Sequence, residues 1–155
     1  MDTDDTGSAR GTVAGRLVML LQISRDLAFE VDVRLGYNPA DPYAVRLTFH
    51  LPGDAPVTWM LSRELLLDGL SCRSGEGDVV VEPVPGEDLE FPDVRIRLNS
   101  PAGTAVLYSP ALPLIEFLAR TDQVLPMGEE QAMDELEQQL SLILDSLDGR
   151  FRNAG

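Results

Sequence analysis

The sequence predicts an α+β domain: about seven antiparallel strands in one or two sheets, a short helix after the fourth strand, and two helices at the C-terminal end. Three observations carry that expectation. From Val13 to Tyr108, apolar residues recur largely at every second position, the period of half-buried strands. After Ser109-Pro110 the period lengthens to that of amphipathic helices. The segments are separated by clusters of Pro, Gly, Asn, Asp and Ser, which turn the chain.

Val13–Ile23 is the first strand, and Ser24–Leu27 links it to the next. In the second, Val31, Val33, Leu35 and Tyr37 alternate with Asp32, Arg34 and Gly36. Pro39 and Pro42 break it, since each restricts its own backbone and that of the residue before it. The third strand is Tyr43–Leu51, with Tyr43, Val45, Leu47, Phe49 and Leu51 on one side and Ala44, Arg46, Thr48 and His50 on the other. A Pro52–Pro56 loop leads to the fourth strand, Val57–Leu61, making a hairpin expected at the centre of the fold. Ser62–Leu70 reads as a short helix with Ser62 as cap and Gly69 as terminator. Ser71–Asp78 is a loop; Val79–Val84 is a strand placed at an edge by Pro83. The acidic loop Pro85–Asp93 precedes Val94–Leu98, and Asn99–Gly103 turns into Thr104–Tyr108.

Ser109 as cap and Pro110 as first helical residue start a helix to about Thr121 that buries Leu114, Ile115 and Leu118. The last helix is expected from about Glu129 to Asp148. Met133, Leu136, Leu140, Ile143 and Leu147 form its apolar stripe, widened by Leu144, with Glu129, Glu130, Asp134, Glu135, Glu137, Asp145 and Asp148 opposite. Packing of that stripe on the chain's own sheet is the expected arrangement; a subunit boundary or a partner's groove is the other. Residues 1–11 and 149–155 are expected as flexible tails around one domain over 12–148.

At 155 residues and 44% apolar content the chain suffices for a core without disulfide or metal staples. Twelve basic residues, all arginine, stand against 26 acidic ones, and the net charge of −14 disfavours nucleic acid and anionic membranes. The one cysteine, Cys72, has no internal partner, which fits a reducing compartment. Gly15, Arg16 and Gln22 interrupt Val13–Ile23, so it is neither a signal-peptide core nor a membrane span. The chain is therefore expected to be cytoplasmic.

No catalytic constellation stands out, and an enzyme is not expected. His50, the one histidine, lies on the polar side of its strand, where it is solvated or locally hydrogen-bonded. Cys72 beside Arg73 lacks an activating neighbour. Gly75-Glu76-Gly77 reads as a turn rather than a phosphate loop, because it lacks a third glycine and a following helix. Glu64 and Asp68, one helical turn apart, read as solvated carboxylates. No metal-ligand spacing occurs, and no cofactor is expected. Arg34, Arg46, Arg95 and Arg97 all fall on the outward side of their strands. They read first as cross-strand salt-bridge partners, and otherwise as a face for an acidic partner or single-stranded nucleic acid.

One resemblance adds to this. Tyr37, Ala40-Asp41-Pro42-Tyr43-Ala44-Val45 and Phe49-His50 are followed by Trp59 with Arg63, Leu65-Leu66, Gly69-Leu70, Gly75 and Gly77-Asp78-Val79. Later come Ser100-Pro101, Gly103, Glu116-Phe117-Leu118, Arg120-Thr121-Asp122 and Pro126. In order and spacing this resembles the SsgA-like family of actinomycete sporulation and cell-division regulators, most closely its SsgB type, over roughly residues 13–145. The resemblance implies a whirly-like fold assembled as a homotrimer and a non-enzymatic role in septum-site selection. It implies recruitment of the tubulin-like protein FtsZ with an SsgA-type partner. Within the signature, Asp41, Pro42 and Tyr43 read as a rigid turn into a strand, and Trp59 with Arg63 as a core aromatic beside a helix start.

Overall fold

The computed structural model describes residues 11–85 and 92–153. The tail expected over 1–11 and the acidic loop Pro85–Asp93 therefore lie mostly outside the described residues.

Seven strands form one antiparallel sheet: β1 (Val13–Ser24), β2 (Leu27–Tyr37), β3 (Ala44–His50), β4 (Val57–Ser62), β5 (Val79–Pro83), β6 (Val94–Ser100) and β7 (Gly103–Ser109). Helix α1 (Arg63–Gly69) follows β4; α2 (Ala111–Val124) and α3 (Glu130–Asn153) end the chain. The strand order is β4-β3-β2-β1-β7-β6-β5. The β3–β4 hairpin thus lies at one edge, not at the centre as alternation suggested. Alternation reports which face of a strand is buried and carries no information on its neighbours across the sheet. The central strand is β1, and β5 with its Pro83 is the other edge.

The sheet curls around a core drawn from all its parts: Met19 on β1, Val31 and Val33 on β2, Val45 and Leu47 on β3, Leu61 on β4, Val81 on β5, Ile96 on β6 and Leu107 on β7. Strands β1 and β7 pair only between Leu20–Gln22 and Val106–Tyr108. Helix α2 packs on β1. Gly15 on β1 permits this, because a Cβ there would lie 2.8 Å from Cδ1 of Phe117. Burial on α2 includes Leu114 and Leu118, as the sequence indicated, and also Ala111, Phe117 and Thr121, while Ile115 is only half-buried.

Three local expectations are corrected. Strand β3 begins at Ala44, and Tyr43 is 52% exposed. The reverse turn before it, with Ala44 N–H donating to Asp41 O, takes Tyr43 out of the strand's alternation. The buried tyrosine is Tyr37, whose hydroxyl donates to the carbonyl of Pro42 at 3.1 Å. Ser109 does not cap α2. It is buried as the last residue of β7, its hydroxyl bonds to Pro110 O, and Pro110 occupies the cap position with no side-chain bond. Gly69 ends α1, but for packing rather than for a left-handed turn: a Cβ there would fall within 2.5 Å of the Val81 side chain. Ser62 does cap α1, accepting from Leu65 N–H at 3.1 Å.

Helix α3 departs most from expectation. Leu136, Leu140, Ile143 and Leu147 are 51, 49, 54 and 44% exposed, so the stripe is not packed on the sheet. The helix also continues to Asn153, past the expected end at Asp148. The side chains of Met133, Asp134, Glu137 and Asp148 lie outside what is described.

Candidate interaction site

The most connected side chain is Arg63, the first residue of α1 and completely buried. Its backbone N–H donates to Tyr43 O at 2.7 Å. Its Nη1 donates to the carbonyls of Thr121 and Leu125 at 3.2 and 2.7 Å; the first also accepts from Leu125 N–H, and the second is an acceptor that the end of α2 leaves open. Its Nη2 donates to Glu130 Oε2 at 2.7 Å, and its guanidinium lies 4.7 Å from the centre of the Tyr37 ring. Glu130 also accepts from Gly128 N–H at 2.8 Å. One side chain therefore fixes β2, the end of α2 and the root of α3 to each other.

Burial pushes the Glu130 carboxyl up, but the Arg63 hydrogen bond, the N–H groups of Glu130 and Gly128 and the Arg63 charge outweigh it, holding the carboxyl below its ordinary range. Tyr37 is shifted up, chiefly by burial and against the pull of Arg63. Nothing in the sequence links Arg63 to Glu130. The two are 67 positions apart, and Glu130 reads as one more acid among the seven on α3 and just before it.

Asp41–Tyr43 adjoins this network, the Pro42 carbonyl accepting from Tyr37 and the Tyr43 carbonyl from Arg63 N–H. Asp41 and Tyr43 are exposed, and Pro42 is half-buried with its carbonyl on Tyr37. Trp59 is partly buried and packs against the core. With Leu21, Val31, Phe49, Val57 and Leu107 among others, it lines an apolar hollow of about 110 Å³ inside the curled sheet. Leu27 and Phe29, on the β1–β2 hairpin, are exposed.

The four outward arginines do not form one stripe. Arg34 and Arg46 sit on β2 and β3, Arg95 and Arg97 on β6, with β1 and β7 between them. The intervening surface of β1 carries exposed Val18 and Leu20. Arg95 is held by its cross-strand neighbour Glu82, through Nε at 3.2 Å and Nη2 at 3.0 Å, and Arg73 Nη1 reaches the same carboxylate at 3.3 Å. The hydrogen bond from Arg95, above all, lowers the Glu82 pKa.

The residues weighed for chemistry are scattered over separate elements. His50 is half-buried on β3, and its Nε2 has no partner among the described residues, unlike the hydrogen-bonded or solvated imidazole expected. Cys72 is exposed in the loop after α1, with Sγ 3.7 Å from Asp68 O. Glu64 and Asp68 are exposed on α1. Gly75 and Gly77 take positive φ in a turn closed by reciprocal bonds between Ser74 and Val81. Among the described residues no group of three His, Cys, Asp or Glu is placed to hold a metal ion. No described helix is long and apolar enough to cross a membrane.

Residues 31–130 match the family model described as Streptomyces sporulation and cell division protein, SsgA. The chain is 41% identical over 133 residues to the sporulation-specific cell division protein SsgB of Streptomyces coelicolor, covering 86% of this chain and 96% of that one. It is 40% identical over 108 residues to SsgB of Thermobifida fusca, covering 70% and 77%. Two solved structures are similar. One comes from work on SsgB mutations that correlate to longitudinal cell division during sporulation of Streptomyces coelicolor. It has a TM-score of 0.72 and 40% identity, covering 78% of this chain and 94% of that one. The other is the crystal structure of an SsgA-like sporulation-specific cell division protein from Thermobifida fusca, with a TM-score of 0.74 and 34% identity, covering 84% and 93%.

Proposed function

The chain belongs to the SsgA family of sporulation and cell-division proteins, and from that premise we propose that it is a non-enzymatic adaptor that helps position septa by recruiting FtsZ. The observation that carries this reading is the match to SsgB of Streptomyces coelicolor, which spans 96% of that relative. The family-model match over residues 31–130 takes in most of β2, strands β3 to β7, α1, α2 and the Arg63–Glu130 network, so the similarity extends well beyond one motif. In this reading the protein acts in the cytoplasm at division sites, as a homotrimer, together with an SsgA-type partner. The curled sheet is a rigid frame that presents surfaces, and the work is done by binding.

Co-sedimentation with polymerised FtsZ tests it. The protein is expected in the pellet with FtsZ, alone or once the SsgA-type partner is added. Its retention in the supernatant under every assembly condition, partner included, contradicts the reading. A fluorescence-anisotropy titration with single-stranded DNA separates the alternative, in which an outward arginine pair binds nucleic acid. With Arg95 engaged by Glu82 and a net charge of −14, no binding is expected even at low salt.

A further inference from the structure

The two edges of the sheet differ. At β5, Ser74 and Val81 exchange backbone hydrogen bonds at 2.8 and 2.9 Å, and Pro83 ends the strand, so that edge is occupied. At β4 nothing comparable is present among the described residues. Arg63 N–H donates to Tyr43 O, which fixes the phase of the β3–β4 ladder. Leu61, Trp59 and Val57 therefore turn their backbone groups toward β3, while Thr58 and Met60 turn theirs away from the sheet. Neither of these two makes another backbone hydrogen bond among the described residues. The strand Val57–Ser62 carries no charge, and Val57 and Met60 are exposed. An edge that is unpaired, uncharged and apolar is a template for another strand.

We propose that this edge docks an extended segment of a second protein partner, distinct from FtsZ. The segment adds a strand along β4 and seats one large apolar side chain in the hollow beside it. Pairing along Thr58 and Met60 puts the added residue opposite Trp59 in a non-hydrogen-bonded pair, with its side chain on the inner face of the sheet. That is the face on which Val57 and Trp59, with Phe49, Leu98 and Ala105 among others, line the hollow of about 110 Å³. The lining is apolar throughout, so it offers no polar group to orient a small metabolite. It suits a side chain whose position is fixed by a backbone lying outside the hollow.

Charge narrows the occupant further. Asp54 lies before the strand and Glu64 after it, both exposed, and neither is ion-paired among the described residues. The cation nearest in register, Arg46 opposite Met60, lies back over Gly36 on β2. A segment with a basic residue on either side of its apolar anchor matches these two ends. The inference goes beyond FtsZ recruitment and stands or falls separately from it.

Trp59 is the one tryptophan and lines the hollow, so its emission reports occupancy. The probe is the end-capped peptide Arg-Thr-Val-Phe-Val-Thr-Arg, titrated into the full chain. A saturable shift of Trp59 emission is expected. Three changes are each expected to weaken binding about tenfold or more: alanine for the peptide's phenylalanine, methyl groups on its two valine nitrogens, and Met60→Pro in the protein. Met60→Pro removes an outward N–H and leaves the β3 ladder intact. Circular dichroism checks its fold, and the methylated peptide makes the same test on the unaltered chain. Glutamates in place of the peptide's arginines are also expected to weaken binding, and equal binding overturns the basic flanks. No saturable response to the peptide overturns the site. Undiminished binding of the methylated peptide, or by a folded Met60→Pro, overturns strand addition. A response to toluene without one to the peptide gives the hollow to small apolar molecules and overturns the proposal. Emission that shifts on dilution of the unaltered chain, but not of Met60→Pro, gives the edge to a second copy and overturns it too.

Discussion

Arg63 Nη2 donates to Glu130 Oε2 at 2.7 Å, and this contact joins residues 67 positions apart in a dry interior. A buried pair of this kind adds little net stability over an apolar replacement, because both charges have lost their water. The Nε of Arg63, buried with no partner among the described residues, adds to that cost. Breaking one side is a different matter. Arg63→Ala leaves the buried Glu130 carboxylate without its countercharge and the Leu125 carbonyl without its donor, and is expected to cost about 3–5 kcal/mol. Arg63→Lys is expected to restore only part of this, since an ammonium cannot reproduce the planar fork. Arg63→Met combined with Glu130→Leu is expected to be more stable than Arg63→Ala. Urea midpoints followed by Trp59 fluorescence measure all three. A double variant less stable than Arg63→Ala would contradict the cost assigned to the unpaired charge.

The same contact sets a pH dependence. The folded-state pKa of Glu130 is below its ordinary value of 4.5. Its contribution is therefore present above that value and lost as pH falls through the folded pKa. The unaltered protein is expected to lose stability in this acid range faster than Glu130→Gln. Parallel profiles of unfolding free energy against pH would contradict that. Glu82, lowered chiefly by its hydrogen bond from Arg95, contributes with the same sign in both proteins and drops out of the difference.

Gly69 is expected to resist even the smallest side chain. In Gly69→Ala the new methyl meets Val81 Cγ1 and Cβ at the α1–β5 contact, where the neighbouring backbone leaves little room to give. A loss of about 1–3 kcal/mol follows from such overpacking. Gly53, with nothing within 4 Å of a built Cβ, is the control for steric crowding, although its positive φ carries its own backbone strain. Equal effects at the two positions would remove the packing explanation.

Trp59 is partly exposed, so Trp59→Ala is expected to cost about 2 kcal/mol, below the ~3–5 kcal/mol of a fully buried aromatic. Its ring lines the apolar hollow beside Val57 and Phe49. The variant is expected to fold and to bind FtsZ with at most a modest loss. A folded variant that had lost FtsZ binding alone would make the hollow the docking surface.

Alternation in β2, β3 and β6 was enough to read the strands, because each buries one face, as Val31, Val33 and Leu35 do beside exposed Asp32 and Arg34. The order of strands was not legible, since pairing depends on partners distant in the chain. Ser62 was a readable cap because its bond to Leu65 is local, whereas Ser109 looked the same in sequence and is committed to β7 instead. The family signature picked out Arg63 without its partner. The fate of the α3 stripe was open for a physical reason: a/d spacing specifies that a stripe seeks cover, not whether the cover comes from the same chain.

The most direct measurement of the proposed function is the order of arrival at the future septum. Fluorescent fusions of this chain and of FtsZ are followed together in sporulating cells. The protein is expected at the site before FtsZ, and its deletion is expected to leave FtsZ without ordered rings. FtsZ rings that form at normal positions and numbers without it, or that precede it at the site, would contradict recruitment.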